Sequence, residues 1–184
     1  MPSVLVPLAQ GCEELEAVTI IDLLRRAALD VVTAGLDNRP VTASRGTLLV
    51  ADTRLEDVVE RPFDMIVLPG GLSGADHLAE DPRIIALLRS QYAAGRFTAA
   101  ICAAPKVLAR AGLLDGRSAT VYPGAVDPAA YPKVEFTDAA VVVDGTIVTS
   151  RGPGTAMDFA LQLIELLLGR ESRDQVERGL ARTL

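Results

Sequence analysis

The chain has 184 residues, of which 49% are hydrophobic and 23% charged, with a formal net charge of −6. That length fits one domain, residues 1–184, able to bury a sizeable core, and the composition excludes a disordered chain. The negative balance gives no electrostatic footprint for nucleic acid or anionic lipid, and no apolar run reaches membrane-spanning length, so a soluble cytoplasmic protein is expected.

Strand and helix signals alternate along the chain. Val4 to Leu8 is an apolar strand pattern, and Glu13 to Ala27 has helical spacing through Leu15, Val18, Ile21 and Leu24. Asp30 to Ala34 reads as a second strand ended by Gly35. Residues 41–50 read as a hairpin turning at Arg45-Gly46. Met65 to Leu68 is a short buried strand closed by Pro69-Gly70-Gly71. The next stretch, GLSGADHLAEDP, reads as a polar connection that holds the single histidine, His77, at a solvated loop or helix start. A helix is predicted at about 83–94, in the approximate way such boundaries are read. Phe97 to Ile101 is a strand, Pro105 opens a helix and Gly112 stops it. A short strand at 118–121 leads into a Pro-rich loop from Tyr122 to Pro132. Strands near 134–136, 139–143 and 146–149 follow, then a helix from Thr155 to Leu168 and an amphipathic segment from Ser172 to Ala181. This alternation predicts an α/β fold: a doubly wound, mostly parallel sheet sandwiched by helices in three layers.

Three turns that follow strands carry the polar and Gly-rich residues: Gln10 to Glu14, Pro69 to Gly71, and Cys102 to Ala104. In a doubly wound sheet such turns meet at one edge. Cys102 falls where a strand ends and a helix begins. It is read either as a small buried hydrophobe or as a reactive thiol whose thiolate form the helix start would favour. The N–H groups of Gly71 and Ala103 could then hold a developing oxyanion. Glu13 and Glu14 complement the dipole of the first helix, whereas Glu16 lies close to its apolar stripe. A carboxyl group partly buried beside a thiol would have a raised pKa and could act as general acid and base without histidine. Cys12 is read as a small turn residue, able to form a disulfide with Cys102 only if their Cα atoms lie within about 7 Å. Two cysteines do not make a secreted disulfide scaffold, and no zinc spacing occurs.

The stretches LAQGCEELEAVTIIDLLRRA, DMIVLPGG, AAICAAPKVLA and TSRGPGTAMDFAL, in this order, resemble the DJ-1/PfpI superfamily, in its DJ-1 and bacterial-type YajL (ThiJ) branch. The resemblance covers nearly the whole chain. It implies a flavodoxin-like fold, a homodimer and no cofactor. It also implies that Cys102 is the nucleophilic, oxidation-prone cysteine and that Glu16 is the carboxyl group hydrogen-bonded to it. Gly70, Gly71 and Ala103 then match the backbone oxyanion site, and Arg45 and Arg151 match arginines near the site and the dimer interface. The protease-like and chaperone branches place histidine directly after the cysteine, where this chain has Ala103. Human-type members have a histidine where this chain has Tyr122, as bacterial members do, and a peripheral cysteine where it has Val50. The expected activity is glyoxalase III or deglycase-like chemistry on methylglyoxal and related dicarbonyls. The alternative is an oxidative-stress sensor or redox-regulated chaperone in which Cys102 is oxidised to sulfinate.

Overall fold

The structure, a computed structural model, describes residues 1–182. The first half runs β1 (Ser3–Leu8), α1 (Glu14–Arg26), β2 (Asp30–Gly35), β3 (Val41–Thr42), β4 (Leu48–Leu49), β5 (Thr53–Arg54), α2 (Leu55–Val58), β6 (Met65–Leu68), α3 (Leu72–Glu80) and α4 (Pro82–Ala93). The second half runs β7 (Phe97–Ile101), α5 (Pro105–Arg110), β8 (Ser118–Thr120), β9 (Glu135–Thr137), β10 (Val141–Asp144), β11 (Ile147–Ser150), α6 (Ala156–Leu168) and α7 (Arg170–Gly179).

Seven strands form one sheet in the order β10-β11-β7-β6-β1-β2-β5, with every pair parallel except β10 against β11. The short apolar runs at β1, β6 and β7 suit such a sheet because both of its faces are covered. Successive strand residues point to opposite faces. Val4, Val6, Met65, Val67, Ala99 and Ile101 therefore pack with α1 and α6 in one core. Leu5, Ile66, Leu68 and Ala100 pack with α3, α4 and α5 in the other. The three-layer arrangement expected from the alternation is the one observed.

Between β1 and β6 the strand order changes direction: β2 lies on one side of β1 and β6 on the other. In open α/β sheets the crevice at the carboxyl ends of the strands near such a point is where ligands bind. The turns after β1, β6 and β7, which are neighbours in the sheet, carry Cys12-Glu13, Gly70-Gly71 and Cys102-Ala103 to that edge.

The predicted hairpin at 41–50 forms as β3 paired antiparallel with β4, outside the main sheet. Its tip is tied to α1, because the Glu14 carboxylate accepts from Ser44 Oγ and from the backbone N–H of Arg45, each at 3.0 Å. The polar connection expected around His77 is instead a nine-residue helix, α3. Leu72, Ala75, Leu78 and Ala79 do have helical spacing, but it is diluted by Ser73, Gly74, Asp76 and His77. Burial of Ala75, Leu78 and Ala79 against the sheet and α5 outweighs that weak local preference. His77 is exposed, as expected, and its Nδ1 lies 2.8 Å from the Gln10 carbonyl oxygen. The segments at β8 and β9 pair with each other in a separate two-stranded parallel sheet. Among the described residues no helix is long and apolar enough to cross a membrane.

Candidate active site

Cys102 has φ of +64°, the left-handed region that a residue with a Cβ rarely occupies. The surroundings fix that conformation. Its N–H donates to the Ser150 carbonyl at 2.9 Å, and its own carbonyl accepts from Tyr122 N–H at 2.8 Å. The end of β7 is thus clamped between β11 and the loop after β8, and the thiol is turned back over the sheet edge towards β6. The residue is 7% exposed, less open than the sequence suggests.

Glu16 lies on the face of α1 that the helical repeat turns inward, and it is fully buried. Its Oε2 accepts from the Gly70 N–H at 2.9 Å. Its Oε1 has no partner of full hydrogen-bond geometry, and the Cys102 thiol is the polar neighbour that couples to the carboxyl. Burial pushes the Glu16 carboxyl up to about 7; the Cys102 thiol and the Gly70 N–H pull it down, and the Glu13 charge adds to the rise. Burial likewise pushes the Cys102 thiol up to about 12, helped by the charge of Glu16 and by hydrogen bonding to it. The N–H groups of Gly71 and Ala103 pull the other way. The expected free thiolate, favoured by a helix start, is therefore not the resting state while Glu16 is ionised. Helix α5 is a short one, and its dipole does not outweigh burial beside a carboxylate. A proton on Glu16 removes the carboxylate charge and leaves the two N–H groups to stabilise the sulfur anion.

Glycine is required where the turns meet. A Cβ on Gly70 would stand 2.5 Å from Glu16 Oε2 and 2.6 Å from Cys102 Cβ, so a side chain there would push the acid and the thiol apart. Gly71 has φ of +88° and caps the start of α3. A Cβ on it would collide with the Gly11 carbonyl oxygen. This close packing is what lets the Gly71 N–H reach the sulfur.

A cleft of about 510 Å³ opens over Cys102, with Gly71, Arg45 and Tyr122 among its walls. Cys102, Glu16, Gly70, Gly71, Ala103, Tyr122 and Arg45 are thus gathered at one place. Arg151 is not: its guanidinium is held by the Asp138 carboxylate and carbonyl, each at 2.8 Å, and Pro153 of the same loop lines the cleft instead. An arginine two residues before a proline-opened turn cannot be aimed from sequence spacing alone. Glu13 is the residue the sequence reading undervalued. It caps α1 by accepting from the Glu16 N–H at 2.8 Å, and it also lines the cleft. Both cysteines are free thiols, and Cys12 is buried in the turn, as expected. Burial and the neighbouring charges of Glu14 and Glu13 push its thiol up to about 12.

The DJ-1/PfpI family model covers residues 2–166. The chain belongs to the DJ-1/PfpI family. Among its relatives in that family is the fruit-fly (Drosophila melanogaster) protein dj-1beta, 45% identical over 179 residues, which span 97% of this chain and 96% of the fly protein. The crystal structure of fly DJ-1beta covers all of this chain, and 99% of its own, with a TM-score of 0.95 at 44% identity. The Caenorhabditis elegans protein named glutathione-independent glyoxalase DJR-1.2 is 37% identical over 171 residues, 93% of this chain and 91% of the worm protein. The DJ-1/PfpI fold thus accounts for the mostly parallel sheet flanked by helices.

Proposed function

We propose that this DJ-1/PfpI protein is a glutathione-independent glyoxalase-type enzyme that converts methylglyoxal and related small dicarbonyls to hydroxy acids. The observation that carries the reading is the Cys102 sulfur paired with a fully buried Glu16 whose proton affinity is raised to about 7, beneath an open cleft. A general acid–base with a pKa near the working pH moves protons in both directions with little penalty. The worm relative's name, glutathione-independent glyoxalase, supports the same class.

In the reactive state the pair's proton is on Glu16 and Cys102 is a thiolate. The sulfur attacks the aldehyde carbon, and the aldehyde oxygen, as it becomes an oxyanion, is held by the N–H groups of Gly71 and Ala103. That oxygen takes the proton from Glu16, giving a hemithioacetal and a carboxylate. The carboxylate removes the hydrogen from the former aldehyde carbon as a proton and returns it to the neighbouring carbon, while the hydroxyl proton on the first carbon passes to the oxygen of the second through the enediol. The first carbon is oxidised to a thioester and the second is reduced to an alcohol. Water hydrolyses the thioester, frees the thiol and releases lactate when the substrate is methylglyoxal. The atoms balance as dicarbonyl plus water, with no external oxidant. Tyr122 and Arg45 line the mouth of the cleft and bind the substrate's distal end.

The homodimer and the bacterial YajL-like branch belong to this reading. The dimer is supported by exposed apolar side chains on α1 and the adjoining hairpin, and the branch by Tyr122 and Val50. Lactate formation from methylglyoxal by the wild type and by Cys102→Ala and Glu16→Ala tests the mechanism. Either substitution is expected to lower kcat by at least about a hundredfold, the scale on which positioned acid–base groups act. Turnover that survives both changes would falsify the mechanism. A wild type that forms no lactate, yet gains two oxygens at Cys102 in mild peroxide, would favour the sensor reading.

A further inference from the structure

Lys106 occupies the second position of α5, where a cation opposes the helix dipole. Its side chain is only 18% exposed, so it is not a solvated surface lysine. The ammonium group pairs with the Asp76 carboxylate, itself 59% exposed, and lies 3.4 Å from the Leu72 carbonyl oxygen. Both partners belong to α3. Leu72 is the residue directly after Gly71, and Lys106 is three residues after Ala103. The contact therefore links α3 and α5, whose preceding turns carry the Gly71 and Ala103 N–H groups that reach the Cys102 sulfur. Among the described residues no backbone hydrogen bond joins α3 to α5.

We infer that Lys106 is a positioning residue: bridging the Leu72 carbonyl and the Asp76 carboxylate, it sets the spacing of the Gly71 and Ala103 N–H donors that receive the oxyanion. The inference rests on the carbonyl-addition reading given above. Oxyanion donors act only at the right distance, and a misplacement of about 1 Å can cost on the order of a hundredfold in rate. Lys106 does not itself line the cleft, which it meets only through the Leu72 carbonyl, so its effect falls on geometry. It should appear in kcat, because the donors hold the sulfur anion and the oxyanion formed on attack, and leave KM in place.

The test compares the intact wild type with Lys106→Met, Lys106→Arg, Asp76→Asn and the Lys106→Met/Asp76→Asn double variant. For methylglyoxal, Lys106→Met should lower kcat about tenfold with KM within about twofold, a partial loss on the scale of oxyanion donors. Asp76→Asn should do the same, the double variant should be no worse than either single change, and Lys106→Arg should recover most of the loss. Because the same two N–H groups also stabilise the sulfur anion, alkylation of Cys102 by iodoacetamide should slow in Lys106→Met and recover in Lys106→Arg. An unchanged kcat in Lys106→Met would overturn the inference. So would alkylation at the wild-type rate in Lys106→Met, because the two donors would then not have moved. Amide-proton exchange by NMR supplies a readout that needs no turnover: exchange at Gly71 and Ala103 should quicken in Lys106→Met and return in Lys106→Arg. If the wild type makes no lactate, the proposed activity fails on its own, and unchanged exchange at these two amides still refutes the inference.

Discussion

Cys102 holds a backbone conformation that costs a residue with a Cβ roughly 1–2 kcal/mol, and the two hydrogen bonds from its own peptide groups to β11 and the Tyr122 loop offset it. What this strain achieves is contact with a buried acid on a different helix. The Glu16 carboxyl keeps its proton to about pH 7 when folded, against an ordinary value of 4.5, because burial penalises its charge. The folded state therefore binds this proton more tightly than the unfolded chain does. Its contribution to stability is complete below about pH 4.5 and is lost as the pH rises towards 7, by about 3 kcal/mol in all. Glu16→Gln keeps an acceptor for the Gly70 N–H and cannot ionise. Thermal melts between pH 5 and pH 8 should show the wild type losing stability relative to this variant as pH rises. Parallel melting curves would mean that Glu16 ionises as easily when folded as when unfolded. The Glu16 position beside the apolar stripe was legible from helical spacing. The resting state of the sulfur was not, since that depends on burial and on which charge lies across the cleft.

Elements place these residues through their ends. Asp81 closes α3 and opens α4 at the same time: its carboxylate accepts the Arg83 N–H at 2.9 Å and the Arg83 guanidinium, which also reaches the Leu36 carbonyl at 2.8 Å. One side chain thus joins two helices to the end of β2. Asp81→Ala should cost about 1 kcal/mol, the ordinary value of a helix N-cap, read as a lower urea midpoint at constant slope. No shift in midpoint would show that water replaces the cap fully. The Asp-Pro pair at 81–82, read in the sequence as the end of a polar connection before a helix at about 83, is that start. Helix α3 had no such signal, because its apolar face is only three buried side chains wide and a glycine opens it. The short strand β5 and the helix α2 that follows it were missed for a similar reason: two or four residues are too few to show a period. Strands β1, β6 and β7 were legible because parallel strands covered on both faces are unbroken apolar runs.

At the scale of the whole molecule, Leu15 and Val18 on α1 and Leu48 and Val50 on the hairpin are exposed, and Glu14 ties these two elements together. Met157 adds a further exposed apolar side chain on α6, which packs against α1. These side chains support the proposed second copy of this chain. Sedimentation equilibrium should give twice the 19.4 kDa of the chain, and Val18→Asp should return the single-chain mass without unfolding, since the residue is exposed in the protomer. A wild type that sediments as a single chain at micromolar concentration would end the homodimer proposal.

By itself the sequence determined the alternation of strands and helices, the layers they form, and the residues on each of the three turns. Those properties are local or periodic, and each leaves a mark within a few residues. Only the tertiary structure decided which turns meet. Strand order placed β7, β6 and β1 side by side, brought Glu16 and Gly70 to Cys102, and led Arg151 away to Asp138. It also set the proton affinities, because burial of a carboxyl group beside a thiol is a property of packing and no spacing along the chain encodes it.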